Sequence, residues 1–252
     1  MKAISGHTKP FAVLGHPIGH SLSPVMHNAS IEKLGLDAIY LAFDVAPAML
    51  MEVLPAMQKM GFGGVNLTVP LKEVAFNGIS NLDRSAREAG AVNTVEFLED
   101  GSMKGHSTDG QGFLTALSEA FSTDIDGLNV FTLGTGGAGR SVAITCAVAG
   151  CASVTLSDLD ADRTAAVARE IKELAPNCEV NICSGDAAAE CRNADLVIQA
   201  TPVGMKPEDE PILKADAFRT GQYVYDLIYM YPETGLMKEA SYAGAKCANG
   251  LS

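Results

Sequence analysis

Apolar positions recur along this chain with two periods. Short apolar runs bounded by Gly or Pro predict buried strands at 11–15, 38–43, 64–69 and 92–97, and again at 130–133, 153–157, 179–183, 195–199 and 223–226. Windows with apolar residues three and four apart predict helices over 23–34, 49–60, 113–121, 140–148, 161–174 and 235–245. Pro24 falls in the first turn of its helix, where proline is tolerated. The methionines of 49–60 read as core filling. From Gly110 onward strands and helices alternate strictly, which implies a parallel, doubly wound sheet. The fold class is therefore α/β with two domains, joined somewhere in 105–112. A second junction is expected near Tyr231-Pro232-Glu233-Thr234.

Composition narrows the partners. The chain has 252 residues, 47% hydrophobic and 19% charged, with 25 Gly, as in ordinary globular proteins. A net charge of −12 argues against a nucleic-acid backbone as partner. It leaves room for an anionic small ligand, because backbone N–H groups act locally. No apolar run reaches the roughly 18 residues of a membrane span, and the first residues lack the apolar core of a signal peptide. The six cysteines include no C-x-x-C pair, so they read as reduced, buried thiols of a cytoplasmic protein. His16 and His20 have metal-ligand spacing for a helix, but Pro17 and Gly19 between them disfavour one, and no metal is expected.

Gly134-Thr135-Gly136-Gly137-Ala138-Gly139 follows an apolar strand and opens a helix, which is the context a dinucleotide-binding glycine loop requires. Its glycines allow a tight turn, close approach of a pyrophosphate and close helix–strand packing. Asp158 ends the next strand, 24 residues after Gly134, at the spacing where a carboxylate takes ribose hydroxyls. A carboxylate there repels a 2′-phosphate, so NAD is favoured, with NADP possible. Arg163 is expected on the following helix. The alternative is that Asp158 merely caps that helix.

Upstream, Lys72 and Asp109 lie in loop-like settings, Lys72 at a strand end behind Pro70. Such a pair facing a nicotinamide suits proton-coupled hydride transfer at an alcohol: the two groups handle the hydroxyl proton, and the lysine stabilises a developing alkoxide. Ser21 and Ser23, two residues apart before a helix, can both donate to one carboxylate. A simpler reading makes Ser23 an N-cap with Pro24 behind it.

These motifs stand in the order found in the shikimate/quinate dehydrogenase family, which the chain resembles over nearly its whole length. The resemblance rests on 17–24 with His27-Asn28, on 66–72, on 90–94 and on 108–113. It continues through the glycine loop, 200–205 and 226–229. It implies a substrate-binding and catalytic domain at 1–110, to which 235–252 returns, and a Rossmann-type dinucleotide domain at 111–234. It implies that Ser21 and Ser23 hold the substrate carboxylate and that Lys72 and Asp109 flank the oxidised hydroxyl. Asn66, Thr68 and Asn93 would bind ring hydroxyls or order the site, and Tyr229 would lie near substrate. Thr201, Gly204 and Met205 would border the nicotinamide, beyond Gly134, Gly136, Gly137, Ala138, Gly139 and Asp158. The implied reaction is reversible oxidation of shikimate to 3-dehydroshikimate by a monomer or homodimer. Quinate, or both acids, is the alternative substrate, and a non-catalytic NAD/cyclitol-acid sensor the alternative class.

Ser107 and Gln199 stand where the family usually has Asn, and Tyr231-Pro232 shifts its usual proline. The chain stops at Asn249-Gly250-Leu251-Ser252, where relatives continue through a helix with a substrate-contacting glutamine. The resemblance therefore implies an incomplete chain.

Overall fold

The computed structural model describes residues 4–250. The chain forms two compact units, the first ending at Thr108 and the second beginning at Asp109.

The first unit runs β1 (Lys9–Gly15), α1 (Ser23–Lys33), β2 (Ala38–Asp44), α2 (Leu50–Lys59), β3 (Gly64–Leu67), α3 (Leu71–Gly78), α4 (Arg84–Ala89), β4 (Thr94–Phe97) and β5 (Met103–His106). Its sheet has the order β2-β1-β3-β4-β5. β1 pairs parallel with β2 and β3, whereas β3–β4 and β4–β5 are antiparallel. The core lies on one face, where Leu50, Leu54 and Met57 of α2 and Leu71 and Ala75 of α3 meet Leu14, Val65 and Leu67. α1 buries no residue fully. It packs beside a small cluster of Val13, Ile18 and Tyr40.

The second unit runs α5 (Asp109–Phe121), β6 (Asn129–Leu133), α6 (Gly137–Val148), β7 (Ser153–Ser157), α7 (Ala161–Leu174), β8 (Glu179–Ile182), α8 (Ala187–Asn193), β9 (Leu196–Gln199), β10 (Tyr223–Asp226), α9 (Gly235–Tyr242) and β11 (Lys246–Asn249). All its strand pairs are parallel, in the order β11-β10-β9-β6-β7-β8. This is the doubly wound order, with the switch of winding direction between β6 and β9. Phe113, Leu117 and Phe121, spaced by four on α5, pack with Tyr223 and Tyr225 of β10. Gly110 belongs at the start of α5 because a Cβ there would lie 2.1 Å from Thr145 Oγ1 of α6.

Two expectations are corrected. Residues 235–249 do not return to the first unit: Lys246–Asn249 continues the second sheet beside Tyr223–Asp226. α9 buries Leu236 and Ala240 against Phe131, Val197 and Val224, an apolar surface that holds it in the second unit. The expectation for Leu251 and Ser252 lies outside the described residues. Secondly, Lys72 and Asp109 are helical. Lys72 sits in the first turn of α3, whose Leu71 and Ala75 share a buried face. Asp109 is the first residue of α5, where the helix dipole favours a carboxylate.

All six cysteines are free thiols, four of them buried. Burial pushes the Cys191 thiol up to about 12, beyond the counter-effect of Arg192 and Arg219. Among the described residues no helix is long and apolar enough to cross a membrane.

Candidate active site

In the first unit, β1, β3 and β5 point the same way, and the segments carrying the chemistry follow their carboxyl ends. After β1 the chain turns into 16–23. After β3 it passes Thr68 and Pro70 into Lys72, and after β5 it passes Ser107 and Thr108 into Asp109. The first two turns touch at Gly15, where a Cβ would lie 2.6 Å from Thr68 Cγ2 and 2.8 Å from Ile18 Cδ1. Only glycine lets these turns close on each other.

Ser21 and Ser23 are both half-buried. Ser23 is not the N-cap: Leu22 holds that position, and no side chain caps the helix. Ser21 Oγ accepts the Ser23 N–H at 3.3 Å, which leaves the Ser21 O–H to donate elsewhere. Asn28 proves structural. Its amide donates to the carbonyls of Pro24 and Tyr40 and accepts the Tyr40 N–H, lacing α1 to β2. His16 Nδ1 lies 2.5 Å from Asp44 Oδ1, joining the ends of β1 and β2.

Asn66 and Asn93 belong to one hydrogen-bonded chain across the sheet. Tyr40 donates its hydroxyl to Asn66 Oδ1 at 2.6 Å. Asn66 Nδ2 donates to Thr94 Oγ1 at 2.9 Å and to the Asn93 carbonyl at 3.3 Å. Thr94 in turn donates to Asn93 Oδ1. Asn93 donates to Thr108 Oγ1 at 2.9 Å and accepts the Thr108 N–H at 3.0 Å, fixing the residue before Asp109. The half-buried Lys72 is anchored through its carbonyl, which accepts the Val92 N–H at 3.0 Å. Tyr40, Thr94 and Thr108 escaped the sequence reading. Thr94 and Thr108 lie inside recognised motifs, whereas nothing local marks Tyr40. Ser107 is buried, and its hydroxyl has no hydrogen-bond partner among the described residues.

In the second unit the glycine loop follows β6. Gly134 has a φ of +94°. A Cβ on Gly139 would fall 2.0 Å from the Gly134 carbonyl oxygen, so α6 starts against the strand end, as close helix–strand packing demands. Around Gly136 and Gly137 the space is open, and a Cβ would meet nothing within 4 Å. The N-terminus of α6 thus has backbone that a pyrophosphate could approach closely.

Asp158 is not a helix cap: Asp160 caps α7 and accepts the Arg163 N–H at 2.9 Å. Asp158 reaches back to the glycine loop, taking the Thr135 N–H at 2.6 Å and the Thr135 hydroxyl at 3.1 Å on Oδ2. Its Oδ1 accepts the Asp160 N–H at 3.0 Å and Arg163 Nη2 at 2.8 Å. Burial alone would raise this carboxyl, but the Thr135 and Asp160 N–H groups, with Arg163 and the Thr135 hydroxyl, outweigh it and hold the group at about 2.

Across the switch point, the loop after β9 carries Thr201, Gly204 and Met205. It touches the glycine loop, since a Cβ on Gly134 would lie 2.8 Å from the Ala200 carbonyl oxygen. Beyond β10, the buried Asp226 accepts the Thr234 hydroxyl at 2.6 Å and the Ile228 N–H at 3.0 Å, shaping the loop on which the half-exposed Tyr229 sits.

Known proteins share this arrangement. The sequence model of the shikimate dehydrogenase substrate binding domain matches residues 13–95. The shikimate dehydrogenase (NADP(+)) of Methanopyrus kandleri is 40% identical over 99% of this chain and 87% of its own length. The crystal structure of shikimate 5-dehydrogenase from Listeria monocytogenes with shikimate and NAD superposes with a TM-score of 0.91. It is 33% identical over 100% of this chain and 89% of the other. A shikimate dehydrogenase crystallised with NADP+ gives a TM-score of 0.90 at 36% identity over 99% of this chain and 86% of the other. With a relative 40% identical over 99% of this chain, and with solved members that match 99–100% of it, this protein belongs to the shikimate dehydrogenase family.

Proposed function

We propose that this protein is a shikimate dehydrogenase that interconverts shikimate and 3-dehydroshikimate with a nicotinamide dinucleotide, preferring NAD. The observation that carries the reading is the common placement of three motifs. Ser21/Ser23, Thr68/Lys72 and Asp109 follow the carboxyl ends of three co-directional strands. That is the end of an α/β sheet at which ligands are bound.

A bound nicotinamide would supply the hydride acceptor for the carbon bearing the substrate hydroxyl. Ser21 and Ser23 donate to the substrate carboxylate. The Lys72/Asp109 pair takes up the one hydroxyl proton, and the positive charge that Lys72 then carries beside the oxygen stabilises the negative charge building on it. Thr68 offers a hydroxyl to the ring. Asn66 and Asn93, already tied to Tyr40, Thr94 and Thr108, order the site. Tyr229 is the further residue that the family resemblance assigns to substrate binding.

Gly134, Gly136, Gly137, Ala138 and Gly139 hold the pyrophosphate, with Thr201, Gly204 and Met205 along the nicotinamide. The preference for NAD is supported by the ionised Asp158, whose charge opposes a 2′-phosphate. Arg163, which pairs with Asp158 and is itself half-exposed, is the partner a ribose hydroxyl displaces most easily. Its proximity tempers the preference, so NADP is used more slowly.

The test is formation of reduced nicotinamide, followed by absorbance, with NAD or NADP against shikimate or quinate. NAD with shikimate is expected to react fastest. Faster reaction with quinate would move the substrate assignment. Tight shikimate binding with no reduction of either dinucleotide would replace the enzyme by a sensor.

A further inference from the structure

The loop after β9 is exposed at Pro202, Val203, Met205 and Lys206, so apolar packing contributes little to its shape. Hydrogen bonds from four side chains hold it instead, one of them Thr201 Oγ1, which accepts the Val203 N–H at 3.1 Å. Gln199, the last residue of β9 and 1% exposed, spans the first turn. Its Oε1 accepts the Thr201 N–H at 3.0 Å, and its Nε2 donates to the Val203 carbonyl at 2.7 Å. Asp209 closes the far side, with Oδ2 accepting the N–H groups of Gly204 at 2.9 Å and Lys206 at 3.1 Å. Tyr231, from the loop after β10, donates its hydroxyl to the Met205 carbonyl at 3.0 Å. Tyr231 is itself fixed, because Asn249 at the end of β11 donates to the carbonyls of Tyr231 and Pro232 at 2.8 and 3.0 Å. Gly204, with a φ of +106°, sits between these ties, and a Cβ there would lie 3.3 Å from Ile228 Cδ1.

Gln199 and Tyr231 are two of the positions at which this chain departs from the family's usual residues. Each makes hydrogen bonds that no apolar side chain reproduces. We infer that Gln199 and Tyr231 are positioning residues for hydride transfer, holding the 200–206 loop in the shape that sets Gly204 and Met205 against the nicotinamide. The inference rests on the dehydrogenase reading of the site. The adenosine and pyrophosphate ends of the dinucleotide are held elsewhere, at Asp158 and the glycine loop. Loosening the 200–206 loop therefore leaves binding largely intact and misplaces the reacting ring, which acts on the chemical step.

Tyr231→Phe removes one hydroxyl from a half-buried ring, and Gln199→Leu keeps volume while deleting both amide contacts. Each variant is melted thermally, then assayed with NAD and with shikimate carrying protium or deuterium at the reacting carbon. The expected result for Tyr231→Phe is an unchanged Tm and a kcat lower by about fivefold, the size of one lost hydrogen bond. The KM for NAD should stay within about twofold, with an isotope effect on kcat at least as large as in the parent. Gln199→Leu should lower kcat further. Parent-like kcat in both variants overturns the inference, as does a rise in the KM for NAD at constant kcat. A parent protein that never oxidises shikimate overturns the dehydrogenase reading instead.

Discussion

Arg163 donates from Nη2 to Asp158 Oδ1 across 2.8 Å, while the other oxygen of the same carboxylate holds the backbone and hydroxyl of Thr135. Asp158, the acid proposed for the ribose end of the dinucleotide site, thus ties the glycine loop to the first turn of α7, with a cation beside it. Removing the acid deletes the repulsion against a 2′-phosphate and releases that cation to attract one. Asp158→Ala is expected to narrow the ratio of kcat/KM for NAD to that for NADP by about 10- to 100-fold, the range of one charge-assisted hydrogen bond. Steady-state kinetics with both dinucleotides measures it, and an unmoved ratio would remove Asp158 from cofactor selection.

The same carboxylate should leave a mark on acid stability. Its folded value of about 2 lies below its ordinary 3.8. A depressed carboxylate contributes stability that is fully present above the unfolded value and is lost as pH falls through the folded one. The difference corresponds to about 2 kcal/mol, lost between about pH 4 and pH 2. Denaturant titrations of the parent and Asp158→Asn across that interval should converge as the pH falls. A constant gap would mean that the carboxylate is not held ionised by its neighbours.

Two glycines of one loop should respond in opposite ways. At Gly139 a Cβ meets the Gly134 carbonyl at 2.0 Å, and backbone cannot yield there without opening the helix–strand contact. Gly139→Ala is expected to destabilise the protein by about 1–3 kcal/mol or more. Gly136 faces open space, so Gly136→Ala should melt with the parent yet bind NAD more weakly, because the methyl enters the space the pyrophosphate needs. Calorimetric melting and NAD titration of both variants separate the two effects. Equal melting temperatures would contradict the packing argument.

Lys72→Ala tests the proton-handling assignment. Its carbonyl contact with Val92 survives the substitution, so the fold should persist. Loss of the ammonium is expected to lower kcat by about 10²- to 10⁴-fold, with NAD affinity nearly unchanged. Retained turnover would assign the proton to another group.

Much of this protein is local and therefore legible in its sequence. Strand and helix periods depend on which side chains face a core, and they locate most elements of both sheets. A left-handed φ at Gly134 and a forbidden Cβ at Gly139 are demands on backbone that only glycine meets, so the dinucleotide loop shows itself in one short string. The order of the motifs was enough to identify the family.

What the tertiary structure decided are relationships between residues far apart in the chain. Lys246-Cys247-Ala248-Asn249 has no β-branched residue to mark a strand. It becomes one because β10 offers an unpaired edge and α9 returns the chain beside it. Tyr40 and Asn66 meet only because β1 lies between their strands, and no spacing rule connects them. Arg163 could be foreseen on its helix, but its pairing with Asp158 depends on how Asp160 caps that helix. Gln199 and Tyr231 looked like simple departures from a pattern until the loop between them was seen to hang on their side chains. Periodicity and motifs are properties of neighbouring residues, whereas hydrogen-bond partners are chosen by packing, which brings distant backbone groups within 3 Å and leaves one side chain able to reach them.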